Sequence, residues 1–167
     1  MQLQGRARVF GDHVNTDYII ASTRKRDTLD GAVLKRYLLE AVDPAFAATV
    51  QPGDLLVAGR NFGCGSAMEV AATVILAAGI PAVVAKSFAR TFYRNAINNG
   101  LLPIECDASA IAEGDQLSIA FDGERVEVVN ARTGERLRGR PLPPIMLEIL
   151  DTGGLVPYMR KHRGFRL

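Results

Sequence analysis

An α/β fold in a single compact domain is predicted by three observations. Two short apolar runs, Leu55-Leu56-Val57-Ala58 and Ala82-Val83-Val84-Ala85, are each followed by a helical stretch that ends on glycine, as parallel strands joined by helices would be. Two alternating runs, QLSIAF and ERVEVV, flank Asp122-Gly123, a strong hairpin signal. The chain has 167 residues, enough for a full core without disulfides or metals and short for a second domain, so one domain is expected over 1–167.

The elements follow in order. MQLQGRARVF reads as a strand, with Leu3, Ala7 and Val9 partly alternating against polar neighbours. GDHVNTD is rich in turn formers and leads to the apolar run Tyr18-Ile19-Ile20. After the polar loop ASTRKRD, Thr28 is placed to cap a helix carrying Leu29, Val33, Leu34, Tyr37, Leu38 and Val42, which Asp43-Pro44 stops. One further turn is expected over 46–50. Pro52-Gly53-Asp54 turns the chain into the LLVAG strand, and the glycine-rich loop GRNFGCG follows. Ser66 is expected to open a helix reaching about Ala78 and closed by Gly79. AVVA is a second buried strand, and SFARTFYRNAINNG a helix with Phe88, Phe92, Ala96 and Asn99 on one face. LLPIEC is a third strand, before the hairpin and a turn at Thr133-Gly134-Glu135. PPIMLEILDTGG reads as a helix that starts on Pro and ends on Gly; LVPYMRK and a basic tail finish the chain.

Composition excludes several functions. Twenty Lys+Arg against eighteen Asp+Glu leave +2, too little to argue for a nucleic-acid partner, and no RNA-binding signature is present. The longest apolar stretch, 71–85, contains Gly79 and Pro81 and falls short of the ~18–20 residues of a membrane span. Two cysteines are too few for an all-cysteine zinc site, a cysteine-ligated iron–sulfur cluster or a disulfide framework. A mixed zinc site would need Cys64, Cys106, His13 and His162 to converge from scattered positions. Few cysteines and no secretory signal pattern lead to the expectation of a reducing, cytoplasmic setting.

Three places could carry chemistry. In GRNFGCGSAME, Gly59, Gly63 and Gly65 allow close backbone approach, and the helix start supplies unpaired N–H donors that suit an anion. The plainer reading is a capping box of Ser66 with Glu69; the two are compatible. Asn15-Thr16-Asp17 lies in a loop at a strand end, where an Asx-type turn is the ordinary outcome and a functional loop the alternative. Thr23-Arg24-Lys25-Arg26 is either a solvated loop or a flexible clamp for a carboxylate. Lys86, Arg90 and Arg94 are spaced to share one face near a helix start, where an anion would relieve their conflict with the dipole.

GDHVNTDYII, GDLLVAGRNFGCGS, AKSFARTFYRNAINNGL and GGLVPYMRK, in this order, resemble the small subunit of 3-isopropylmalate dehydratase, of the short archaeal type in the aconitase superfamily. The resemblance covers nearly the whole chain. It implies the aconitase swivelling domain, a β/β/α arrangement that docks on a large subunit. That partner would carry a 4Fe-4S cluster on its own cysteines, with no cofactor and no metal ligand on this chain. The reaction implied is removal and re-addition of water on a substituted malate, interconverting 2-isopropylmalate and 3-isopropylmalate in leucine biosynthesis. Ser66 falls on the serine that acts as catalytic base, and Thr16 and Asp17 on the Thr-Asp pair lining the active site. Substrate-binding residues are implied at Gly63, Cys64 and Gly65, in the loop that positions Ser66, and at Arg24, Lys25 and Arg26, in the loop from Arg24 to Asp27 that sets substrate specificity. The substrate class is a small dicarboxylate. Self-association of the chain without its partner is left open.

One departure bears on the substrate. The family's helix usually begins Gly-Ser-Ser-Arg-Glu-His-Ala, and here Ala67, Met68 and Val70 replace the second serine, the arginine and the histidine. The lost arginine removes a charge-assisted carboxylate contact of about 1.5–3 kcal/mol, which Arg24, Lys25 or Arg26 is expected to replace. Met68 and Val70 are expected to make the pocket floor more apolar. Dehydratases of 2,3-dimethylmalate, methylmalate or homoaconitate are therefore alternatives, as is a non-catalytic binding module.

Overall fold

Leu55, Leu56, Val57 and Ala58 are all buried, as are Ala82, Val83, Val84 and Ala85. Strands covered on both faces pair in parallel, and they do so here. The computed structural model describes residues 2–122 and 125–165. Its seven strands form one sheet in the order β4-β3-β2-β1-β5-β6-β7. The strands are β1 (Gln2–Val9), β2 (Leu55–Ala58), β3 (Ala82–Ala85), β4 (Leu102–Glu105), β5 (Gln116–Asp122), β6 (Arg125–Asn130) and β7 (Arg136–Gly139). β1 to β4 run parallel and β5 to β7 antiparallel. β1 serves both halves: its start, Gln2 to Arg6, pairs with β5, and its end, Ala7 to Val9, with β2. Beyond β7 the Arg140 N–H donates to the Glu105 carbonyl at 2.8 Å, so the two edges of the sheet nearly meet.

Alternation along the parallel strands divides two cores. Leu56, Ala58, Val83 and Ala85 face a helical layer with Ile19, Leu38, Phe46, Ile75 and Phe92. Leu55, Val57, Ala82 and Val84 face the other side with Ile119, Val128, Leu150 and Tyr158. The helical layer comprises α1 (Thr16–Ile19), α2 (Gly31–Leu34), α3 (Phe46–Thr49), α4 (Glu69–Ala77) and α5 (Arg90–Asn99). α6 (Pro144–Asp151) and α7 (Leu155–His162) pack on α5 and close the second core.

Several elements depart from the sequence reading. The long helix expected from Thr28 to Val42 is one α turn, α2, and one 3-10 turn over Lys35–Tyr37. Asp30 caps it, its carboxylate accepting from Ala32 N at 2.8 Å, while Thr28 Oγ1 only accepts from Asp30 N. The chain then reverses at Leu39, in the left-handed region, whose N–H goes to the Ile19 carbonyl at 2.9 Å. Burying both Leu38 and Leu39 outweighs continuing the helix. α4 starts at Glu69 with Met68 as N-cap and no side-chain cap, so Ser66 neither opens nor caps it, and the capping box is absent. α5 starts at Arg90; Lys86 precedes it and bonds Asp107 through Nζ at 2.9 Å, so no face Lys86–Arg90–Arg94 exists. β7 and α7 were not expected. The hairpin is present, with Asp122 opposite Arg125; Gly123 of its expected Asp122-Gly123 turn, and Glu124 that follows, lie outside the described residues.

Candidate active site

Parallel pairing puts the loops that follow β1, β2 and β3 at one edge of the sheet, where ligands bind in open α/β folds. These loops continue the sheet beyond the strands. Gly63 N donates to the Val14 carbonyl at 2.8 Å, and Thr16 N to the Cys64 carbonyl at 2.8 Å. On the other side, Phe62 N donates to Ser87 O at 3.0 Å and Ala89 N to Phe62 O at 2.9 Å. The glycine-rich loop is thus gripped between two neighbours, and Thr16 Oγ1 donates to the Ser66 carbonyl at 3.0 Å. The Thr16-Asp17 and Gly63–Ser66 segments, 46 or more residues apart in sequence, form one patch.

Within it each residue has a definite place. Asn15 caps α1, its Oδ1 accepting from Asp17 N at 2.8 Å, so the expected Asx-type turn is present. Thr16 is buried, and Asp17 is half-buried with its Oδ1 accepting from both the N–H and the hydroxyl of Ser22. Gly65 sits at φ +92°, and a Cβ there would lie 2.6 Å from Asn15 Oδ1, so only glycine lets the two segments meet. Gly63 is buried with its amide committed to Val14. Cys64 is half-buried, and its carbonyl is used by Thr16. Ser66 is exposed, and its hydroxyl bonds no described residue. The amides of Gly65, Ser66 and Ala67 are likewise unpaired among the described residues, just ahead of the α4 N-terminus. A hydroxyl beside free amides and a positive helix end is where an oxyanion is least costly.

The basic loop reaches the same patch through Ser22. Arg24 is engaged within the chain: Nε and Nη2 donate to Glu40 at 2.8 and 3.1 Å, and its guanidinium lies 3.9 Å from the Tyr37 ring centroid. The Glu40 hydrogen bond raises its already high pKa further. Lys25 and Arg26 bond no described side chain and remain available. Met68 is 4% exposed and packs in the helical-layer core. The expected apolar floor is therefore not built by Met68, whose extended backbone turns its side chain inward.

No group of three or more His, Cys, Asp and Glu that could hold a metal exists among the described residues. Cys64 and Cys106 are free, and Cys106 is buried, so the donor set does not fit an iron–sulfur cluster on this chain. No described helix is long and apolar enough to cross a membrane. Asn15, expected only as part of an Asx-type turn, also faces Gly65, and Ser22, which sequence reasoning passed over, is the partner of Asp17; both complete the patch. The Asn15 cap was readable from its place before α1. Ser22, five residues beyond Asp17, carried no periodic signal.

Comparison with known proteins identifies the fold and the family. The aconitase C-terminal domain model matches residues 14–109. The 3-isopropylmalate dehydratase small subunit of Oleidesulfovibrio alaskensis is 49% identical over 163 residues, with 96% of each chain covered. The isopropylmalate/citramalate isomerase small subunit of Methanocaldococcus jannaschii is 45% identical over 161 residues, covering 95% of this chain and 94% of that one. A crystal structure of 3-isopropylmalate dehydratase from Methanocaldococcus jannaschii superposes with a TM-score of 0.92 at 44% identity, covering 98% and 96% of the two chains. With the same fold and near-complete coverage at this identity, the chain belongs to the aconitase C-terminal domain family, among the 3-isopropylmalate dehydratase small subunits.

Proposed function

We propose that residues 1–167 act as one swivelling domain, the small subunit of a cytoplasmic hydro-lyase that interconverts 2-isopropylmalate and 3-isopropylmalate in leucine biosynthesis. It works only with a large subunit, and on that partner a 4Fe-4S cluster supplies a Lewis-acid iron for the substrate hydroxyl and a carboxylate. The observation that carries this reading is the junction of Thr16 and Ser66, which joins the Thr16-Asp17 segment to a loop with an unpaired serine hydroxyl and three unpaired amides.

Ser66 Oγ, as alkoxide, takes the proton from the carbon next to a substrate carboxylate. The C–H electron pair becomes the double bond of the unsaturated intermediate as hydroxide leaves the adjacent carbon. Hydroxide then adds back to the carbon that lost the proton, and Ser66 returns its proton to the carbon that lost the hydroxyl, so the isomer has the composition of the substrate. The amides of Gly65, Ser66 and Ala67 and the start of α4 stabilise the alkoxide. Thr16 holds the Ser66 carbonyl, and so the loop, in register. Cys64 and Gly63 fix that loop from behind. Lys25 and Arg26 take the substrate carboxylate that the family's arginine would bind, since Met68 stands in its place, and Arg24 supports them.

The test is co-expression with the large subunit, anaerobic reconstitution and a panel of substituted malates, followed by the ultraviolet absorbance of the unsaturated intermediate. Ser66→Ala is expected to lower kcat by about 10²–10⁴-fold. Neutralising Lys25 and Arg26 together is expected to raise KM about tenfold or more. Unchanged turnover in Ser66→Ala would favour a non-catalytic binding module. Inert isopropylmalate with active dimethylmalate, citramalate, methylmalate or homoaconitate would reassign the substrate.

A further inference from the structure

Ser22 belongs to no motif, yet both of its donors go to one carboxylate oxygen. Its N–H reaches Asp17 Oδ1 at 3.2 Å, and its hydroxyl donates to the same atom. We propose that Ser22 is a positioning residue of the dehydratase site, fixing the Asp17 carboxylate and coupling it to the basic loop that follows. This rests on the reading of Thr16, Asp17 and Ser66 as catalytic groups.

The geometry around Ser22 explains why it fills this role. Asp17 is held from two directions: its backbone N–H by Asn15, which presses on Gly65, and its carboxylate by Ser22. Ser22 therefore completes a chain of contacts running from the Ser66 loop through Asn15 and Asp17 to the basic loop. Two residues further on, Arg24 anchors that loop a second time, through its paired bonds to Glu40 and its stack on Tyr37. The Arg24 N–H also donates to Ala21 O at 2.9 Å. With both Ser22 and Arg24 tied down, Lys25 and Arg26 start from a set position relative to Asp17. Ser22 is exposed, so water could satisfy its hydroxyl equally well in a loop without such a role. Hydrogen bonds to a charged carboxylate are the stronger kind, and two of them converge here. A shift of the loop therefore moves Asp17, and a substrate carboxylate on Lys25 or Arg26 is registered at the catalytic group.

The experiment compares Ser22→Ala and Ser22→Thr in the full chain. Because Ser22 packs in no core, both variants are expected to fold with unchanged Tm. In the reconstituted complex, Ser22→Ala is expected to lower kcat/KM about tenfold to a hundredfold, with kcat falling and KM rising, and Ser22→Thr to restore most of it. In the small subunit alone, amide hydrogen exchange over 17–27 is expected to quicken in Ser22→Ala and not in Ser22→Thr. Wild-type kcat and KM in Ser22→Ala would overturn the proposal, as would unchanged exchange over 17–27. If the wild-type complex turns over no malate, the dehydratase reading fails on its own, and the exchange comparison still decides whether Ser22 couples the loop to Asp17.

Discussion

At the scale of single residues, burial separates two cysteines that look alike in sequence. Cys106 follows β4 inside the second core, and burial, with the Asp107 charge beside it, pushes its thiol up to about 11. Thiolate is the reactive form, so this residue is inert while the core stays closed. Cys64 lies half-buried at the edge of the patch. Titration of the native chain with a thiol reagent is expected to count one fast thiol per chain, and two after denaturation. Two equally fast thiols in the native state would mean that the core around Cys106 opens. Residue identity carried much of the candidate site: Thr16, Asp17 and Ser66 stood out by motif. The use of each backbone amide did not, because it depends on which neighbour a loop lies beside. Gly63 spends its N–H on Val14, whereas the amide of Gly65 stays free.

At the scale of elements, the short strands, the glycine-closed helices and the turn over 46–50 were legible, and the region from Thr28 to Val42 was not. Its apolar spacing fits a helix, but the tertiary demand to bury Leu34, Leu38 and Leu39 over the sheet breaks it into turns. α7 was hidden because Pro157 falls within LVPYMRK, although a proline in the first turn costs no hydrogen bond. The connection before α7 depends on one residue. Gly154 has φ +118°, and a Cβ there would lie 2.5 Å from the Asn98 carbonyl oxygen at the end of α5. Gly154→Ala is expected to destabilise the fold by about 2 kcal/mol or more, through backbone strain and loss of the α5–α7 contact. A urea midpoint lowered with an unchanged slope would bear this out; an unaltered midpoint would show that the turn relaxes freely.

At the scale of the whole molecule, carboxylates clamp the ends of strands that the sheet already pairs. Asp54, ahead of β2, meets Arg6 and Arg8 of β1. Asp107 after β4 meets Lys86 after β3, and Asp115 ahead of β5 meets Arg132 after β6. Burial alone would raise Asp54, but hydrogen bonds from Arg6, the Gln51 amide and Arg8 bring it below the ordinary value. The Lys86 and Ser109 bonds hold Asp107 down to about 2, and Arg132, the Ala112 amide and Asn130 hold Asp115 well below the carboxylate range. All three pKa values are lower folded than unfolded, so the unfolded chain binds more protons as pH falls through about 4. Stability is therefore expected to be complete above about pH 5 and to decline below it, read as urea midpoints between pH 3 and pH 7. Asp115→Asn should flatten that slope, and an unchanged slope would exclude Asp115 as a contributor. The sequence by itself determined the fold class, the parallel strands, the hairpin and the motif residues, because apolar periodicity and turn chemistry are local. Only the tertiary structure decided that β1 serves both halves of the sheet, that Asn15 and Ser22 join the motifs into one patch, and that Arg24 faces Glu40. Those outcomes depend on which segments become neighbours: β1 with β2 and β5 and Asn15 with Gly65 meet across 40 residues or more, Ser22 with Asp17 and Arg24 with Glu40 across a turn, and none of these contacts leaves a periodic trace in the chain.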